Sequence, residues 1–314
     1  MKKALVVITL LLLLFFFIIL QDNRSQREVL FSVEKGESFV EIGKNLEIEG
    51  LVTNRFLFNI YLFLSGARKD LQAGTYLLSS DMSIKQIIDK IRSGEVYTRK
   101  FTVIEGWRAK DIADHLSEIG LDGDKFMAIV KRGEGNFAVL SDKPIDAGLE
   151  GYLFPDTYLL PYGIDEQGLI DMMLANIDSK IKKSDKNLFD IITMASIIEK
   201  EVRSEKDKRL VSGILWKRIE IGMPLQVDAT IVYLTGKKSS AVSIEETKID
   251  SPYNSYLYKG LPPGPISNPG LESILAALNP EPSNYLFYLS KPDGETVFNI
   301  DYQNHLIDKN RYLK

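Results

Sequence analysis

The sequence predicts an α+β fold preceded by a single N-terminal transmembrane helix. Three observations carry this: an unbroken apolar run at residues 4–20, helical and strand-like stretches that fall into separate groups, and a block that returns after 70 residues. Segregated helices and strands favour α+β over a doubly wound parallel sheet. With 314 residues, 45% hydrophobic and 10% aromatic, the chain can bury the cores of about two domains. Its 43 acidic and 39 basic side chains are mixed along the chain and leave a formal charge of −4. No basic block marks a nucleic-acid footprint, so nucleic acid is not expected as a partner.

The first element is "MKKALVVITLLLLLFFFIILQDNR". Ala4 to Leu20 are 17 uncharged residues, close to the lower limit for a spanning helix. Lys2 and Lys3 precede the run, which favours residues 1–3 in the cytoplasm and the C-terminal bulk outside, a single-pass protein of the inner (cytoplasmic) membrane. Arg24 and Arg27 reduce that asymmetry. No small-x-small site ends the run, so an uncleaved anchor is expected rather than a signal peptide, with residues 21–27 as a linker. Cysteine is absent, which excludes a lipid-anchored lipoprotein and a disulfide framework and suits an extracytoplasmic chain.

Residues 28–100 follow as a module of their own. "VEKGESFVEIGKNLEIEGLVTNRF" (33–56) returns as "VIEGWRAKDIADHLSEIGLDGDKF" (103–126), pairing Val33 with Val103, Gly36 with Gly106, Ile42 with Ile112, Leu46 with Leu116, Leu51 with Leu121 and Phe56 with Phe126 at a constant offset of 70. Each copy reads as a strand, a glycine turn, an amphipathic helix, a terminating glycine and a leucine that packs back. Between them, "AGTYLLSS" reads as a strand and "SIKQIIDKIRSG" as a helix closed by Gly94. The surroundings of "VEKGES" resemble the LysM modules that bind cell-wall glycan, beside the plainer reading of duplicated packing units.

Residues 101–314 make the second domain. "LEGYLFPDTYLLP" (149–161) is an aromatic segment turning at Pro155 and Asp156. Helical stretches are expected at about 165–182 and 187–221, the second broken at Ser204, whose spacing to Asp207 is that of an N-cap and its N3 partner. "PLQVDATIVYLTG" reads as a strand that puts Gln226, Asp228 and Thr230 on one side. "YLFYLS" and "ETVFNI" flank "KPDG" as a hairpin.

Several chemistries have no residues to carry them. His115 and His305 are the only histidines, so no zinc cluster of ordinary spacing is available and no metal or cofactor is expected. No nucleophile elbow or phosphate-binding loop is present. His115 reads as a half-buried packing residue. What remains is carboxylate chemistry.

Leu188, Ile192, Ala195, Glu199 and Val202 recur at steps of three or four, so Glu199 takes a leucine's place on an apolar helix face. Such a carboxylate must find partners, line a cavity or keep its proton. An ion pair with Arg203, one turn on, is the structural alternative to a general acid. Glu201 is expected on the solvent side. The loop "SPYNSYLYKGLPPGPISNPG" (251–270) holds five prolines and three glycines, and its Tyr253, Asn254, Ser267 and Asn268 offer the flat apolar faces and neutral hydrogen-bonding groups that suit sugar rings.

"LEGYLFPDTY", "ASIIEKEV", "MPLQVDATIVY" and this loop, in that order, resemble the endolytic murein transglycosylases of the MltG (YceG-like) family over nearly the whole chain. The resemblance implies an anchored lyase with a LysM-like α+β module and a mixed α+β catalytic domain. Such an enzyme cuts the β-1,4 bond between N-acetylmuramic acid and N-acetylglucosamine within a glycan strand and leaves a 1,6-anhydromuramoyl end. The glutamate carrying the chemistry maps to Glu199, with Glu150, Gln226, Asp228, Tyr253, Asn254, Ser267 and Asn268 expected at the substrate. One carboxylate suffices if it first protonates the leaving oxygen and then takes the proton of the attacking C6 hydroxyl. Peptidoglycan strands, and peptidoglycan synthases beside them, are the implied partners. Two alternatives stay open: a muramidase with Asp228 as its second carboxylate, or a wall-binding scaffold without an essential acid.

Overall fold

The computed structural model describes residues 26–181, 185–237 and 242–313. The expected anchor at residues 4–20 lies outside them, and among the described residues no helix is long and apolar enough to cross a membrane. The fold is mixed α+β, and among the described residues every sheet has two strands. Two compact units divide the chain.

One unit holds the described residues up to Lys100 together with Leu159–Ile164. In it β1 (Glu28–Val33) runs antiparallel to β2 (Gly74–Ser79), with Phe31 opposite Tyr76. Three helices complete it: α1 (Phe39–Ile48), α2 (Arg55–Leu64) and α3 (Ile84–Ser93). Ser38 with Glu41, and Ser83 with Gln86, close capping boxes that satisfy the first donors of α1 and α3. Gly94, at φ +72, ends α3. Phe31, Ile42, Leu46, Phe58, Leu62, Tyr76, Ile87 and Ile91 form the core, and the buried Tyr76 hydroxyl donates to Gln72 O at 2.7 Å.

The other unit comprises Phe101–Tyr158 and Asp165 onward. The second copy of the repeat opens it. β3 (Thr98–Thr102) leads to Gly106, then to α4 (Ala109–His115), which ends through a short 3₁₀ turn at Gly120. The two copies close alike, Leu51 N–H donating to Leu46 O at 2.9 Å and Leu121 N–H to Leu116 O at 3.0 Å. The constant offset does not extend past that point. Phe56 is 66% exposed while Phe126 is fully buried, and the residue that corresponds is Phe58, also fully buried. Phe58 and Phe126 both stand four residues after their N-caps, Asn54 for α2 and Asp122 for α5 (Gly123–Arg132), so the first copy is two residues longer at this turn.

After β4 (Thr157–Pro161) and α6 (Glu166–Lys180) comes α7 (Leu188–Glu201), in which residues 188, 189 and 191–198 are all buried. It packs against α8 (Glu205–Glu220), α9 (Asp228–Thr235) and α10 (Leu271–Leu278). Ser204 accepts from Asp207 N–H as the N-cap of α8. The expected strand through Gln226, Asp228 and Thr230 is instead irregular backbone up to Val227 followed by α9, where Thr230 Oγ1 donates back to Val227 O at 2.9 Å. The hairpin of β5 (Phe287–Ser290) and β6 (Thr296–Asn299) precedes α11 (Tyr302–Tyr312).

Candidate active site

Glu199 lies in the last turn of α7, next to the start of α10. Its Oε2 accepts from Ser273 Oγ at 2.7 Å and from Gly270 N–H at 3.0 Å, and both oxygens stand 3.4 Å from Lys208 Nζ on α8. The Lys208 and Glu199 side chains are only 3% and 9% exposed. The setting is therefore not apolar: an ammonium, an amide N–H and a hydroxyl all point at this carboxylate. The ion-pair partner is Lys208, nine residues on, and not Arg203. Gly270 is the N-cap of α10 and has no side chain, so Glu199 supplies an acceptor to that helix N-terminus from another element.

The proline-rich loop is stitched to α7 one turn before Glu199. Ser196 Oγ accepts from Ile266 N–H at 3.0 Å, and Ser267 Oγ donates to Ser196 O at 3.1 Å. Asn268 is the next knot. Its Oδ1 accepts from Gly151 and Leu153 N–H at 2.8 and 3.0 Å, and its Nδ2 donates to Trp107 O at 2.9 Å and Glu150 Oε1 at 3.1 Å. Its backbone carbonyl accepts from Gly106 N–H at 2.8 Å.

Asn254, Ser267 and Asn268 are fully buried, 0% exposed for each. Asn254 spends its amide on Thr247 O, Ile249 O and Tyr256 N–H. These three, expected at the substrate, hold the loop in shape through these bonds. Glu150 accepts from Ala109 N–H at 3.0 Å as well as from Asn268, and burial pushes it up to about 7 against those two bonds. Tyr253 is half-buried, its ring 5.1 Å from that of Tyr233, and the charge of Glu150 adds to burial in raising its hydroxyl. Gln226 is exposed at φ +52, the one non-glycine residue with positive φ among those described, with its N–H on Ser255 O at 2.9 Å. A non-glycine residue there stores strain, a feature that clusters at functional sites.

Asp228 does not join Glu199. Tyr256 Oη donates to its Oδ1 at 2.5 Å, and its charge is felt by Glu201. Glu201 is not on the solvent side either. It is half-buried, its Oε2 accepts from Tyr288 Oη at 2.9 Å, and burial pushes it up to about 7. His115 packs as expected, stacked on Trp107 with ring centroids 4.5 Å apart. Among the described residues no three His, Asp, Glu or Cys side chains are grouped to hold a metal ion.

Two residues beside Glu199 were not singled out from the sequence. Lys208 looks like one of many helix-surface lysines, and only the chain path shows it buried. Glu105 lies against Gly270, where a Cβ would come within 2.0 Å of its Oε1. Its sequence signal is a break in the repeat, since Lys35 occupies the matching place.

A sequence model described as the YceG-like family matches residues 31–311. Among curated proteins the chain is 33% identical to an endolytic murein transglycosylase of Bacillus subtilis (strain 168), over 92% of this chain and 86% of that protein. It is 30% identical to an endolytic murein transglycosylase of Streptococcus pneumoniae serotype 2, over 90% of this chain and 58% of that longer protein. Among solved structures, the 2.6 Å crystal structure of a yceG-like protein from Listeria monocytogenes superposes with a TM-score of 0.59 at 31% identity, covering 91% of this chain and all of that one.

Proposed function

This chain belongs to the YceG-like family, and from that premise we propose that it is an endolytic lytic transglycosylase of peptidoglycan with Glu199 as its catalytic carboxylate. The bond cut is the β-1,4 linkage between N-acetylmuramic acid and N-acetylglucosamine, and the product carries a 1,6-anhydromuramoyl end. The muramoyl C1–O4 bond breaks with its electron pair on O4, which gains a proton. The C6 hydroxyl oxygen bonds to C1 and gives up its own proton. Water is not consumed, and the proton count is unchanged.

The observation that carries the assignment is the convergence on Glu199 of Lys208, Gly270 N–H and Ser273 Oγ. A helix N-terminus and a buried ammonium, from two further elements, hold this carboxylate in one orientation. Fixed in this way, it is pre-organised to exchange protons at the anomeric centre. Tyr253, Gln226 and Asp228 retain accessible surface for sugars. Glu150 and the buried Asn254, Ser267 and Asn268 act through the shape of the loop.

Residues 4–20 would hold the enzyme in the cytoplasmic membrane with its bulk outside. The LysM-like module at 28–100 would guide nascent strands, so that cleavage terminates their synthesis beside peptidoglycan synthases. Mass spectrometry of products from purified glycan strands tests the chemistry. Anhydro ends are expected from the wild type, with release lowered by about 10² to 10⁴ in Glu199→Gln. Reducing ends would make the enzyme a muramidase, and binding without cleavage would make it a scaffold.

A further inference from the structure

Glu105 is brought to Glu199 by contacts on both sides. The residue after it, Gly106, donates its N–H to Asn268 O at 2.8 Å, accepts at its carbonyl from Lys200 Nζ at 3.2 Å, and is so close to α7 that a Cβ would lie 3.4 Å from Glu199 Cγ. The Glu105 carboxylate itself rests over Gly270, where a Cβ would lie 2.0 Å from Oε1 and 2.3 Å from Cδ. The N–H of this same Gly270 donates to Glu199 Oε2 at 3.0 Å. Both carboxylates thus meet at Gly270, and a side chain there would have to displace that of Glu105.

The two acids differ in how they are held. Three donors fix Glu199, whereas among the described residues no hydrogen bond reaches the carboxylate of Glu105, a residue open to solvent on one side. The charged groups around it are Glu199 on α7, Lys208 on α8 and Glu272 on α10, with Lys200 beside Gly106. Partial burial and the charge of Glu199 raise Glu105 above the usual carboxylate range, against the pull of Lys208. A carboxylate free of hydrogen-bond donors is placed to give up a proton, and one fixed by three donors is placed to receive one.

We propose that Glu105 is the acid of the reaction, giving its proton to the glycosidic oxygen, while Glu199 takes the proton of the C6 hydroxyl. The proposal deepens the assignment of Glu199 and rests on it. As C1–O4 breaks, O4 receives the Glu105 proton. As O6 bonds to C1, the O6 proton passes to Glu199, and exchange through solvent returns it to the exposed Glu105. No other reactant is needed.

The test compares two leaving groups. Glu105→Gln is expected to lower the rate on glycan strands by about 10² to 10⁴. On a muramoyl oligosaccharide with 2,4-dinitrophenolate at C1, a leaving group that needs no proton, it is expected to stay within about tenfold of the wild type. A wild-type rate on strands, or an equal loss on both substrates, overturns the proposal. Glu105→Asp, which keeps the acid but withdraws it from Gly270, should show the same split in weaker form, and carries the test should the glutamine variant fold poorly. Equal loss on both substrates in that variant also overturns it. Glu199→Gln should fail on both substrates; if it does not, the assignment of Glu199 falls, whatever Glu105 does.

Discussion

Lys208 gives Glu199 a structural role as well as a chemical one. An ammonium 3% exposed needs a counter-charge, and its other carboxylate, on Glu272, stands off at 3.9 Å on a half-exposed side chain. Removing one partner of a buried pair costs about 3–5 kcal/mol, because the other charge is left uncompensated. Glu199→Gln should therefore lower the melting temperature as well as the release of anhydro ends. Lys208→Met should also destabilise, since it leaves the carboxylate with only Gly270 N–H and Ser273 Oγ. The double variant should recover much of the lost stability, because the uncompensated charge is gone, and still show the lowered release. Thermal unfolding of all four proteins, with product analysis, decides this. Additive losses in the double variant would mean that Lys208 and Glu199 do not interact in solution.

At the scale of elements, α7 is a buried hub, and its C-terminal end is where the hairpin docks. Tyr288 Oη of β5 donates to Glu201 Oε2, and Ser290 Oγ donates to Glu201 O at 3.3 Å. Burial holds Glu201 up to about 7, with the charge of Asp228 adding to the rise and Arg218 opposing it, whereas an unfolded glutamate titrates near 4.5. Between those values the folded chain binds the proton that the unfolded chain has released, so stability falls as pH climbs from about 4.5 to about 7 and stays lower above. Glu150 adds a slope of the same sign. Glu201→Gln keeps an acceptor for Tyr288 and removes the titration. It should gain stability relative to the wild type at pH 8 and not at pH 4.5, and a difference in melting temperature independent of pH would contradict this origin. Helix ends such as Ser83–Gly94 and Ser204 were legible because caps and glycines act locally. α9 was not, because "DATIVYLT" is rich in strand-favouring residues and burial of Thr230 and Ile231 overrides that preference. Glu199 was legible as a break in an apolar pattern. Lys208 and the burial of Glu201 depend on contacts 9 and 87 residues away and leave no local trace, while Glu105, set against Gly270, shows only as the break in the repeat at Lys35.

The whole molecule is not divided by a single cut in the chain. Leu159–Ile164 leaves the second unit and belongs with the residues up to Lys100, where Tyr162 N–H donates to Tyr97 O at 3.1 Å and the two rings lie 6.4 Å apart. A chain begun at residue 101 therefore loses Tyr97 while keeping Leu160, which is only 2% exposed in the intact protein. Its uncovered apolar surface should make that simple truncation aggregate. The same truncation with residues 159–164 replaced by a polar turn should stay soluble, since every group proposed for the chemistry, from Glu105 to Ser273, lies in the other unit. If the N-terminal module guides strands rather than cutting them, this shortened protein should still release anhydro ends from soluble glycan while losing control of the lengths released. A folded shortened protein with no cleavage at all would place part of the catalytic machinery in the first hundred residues.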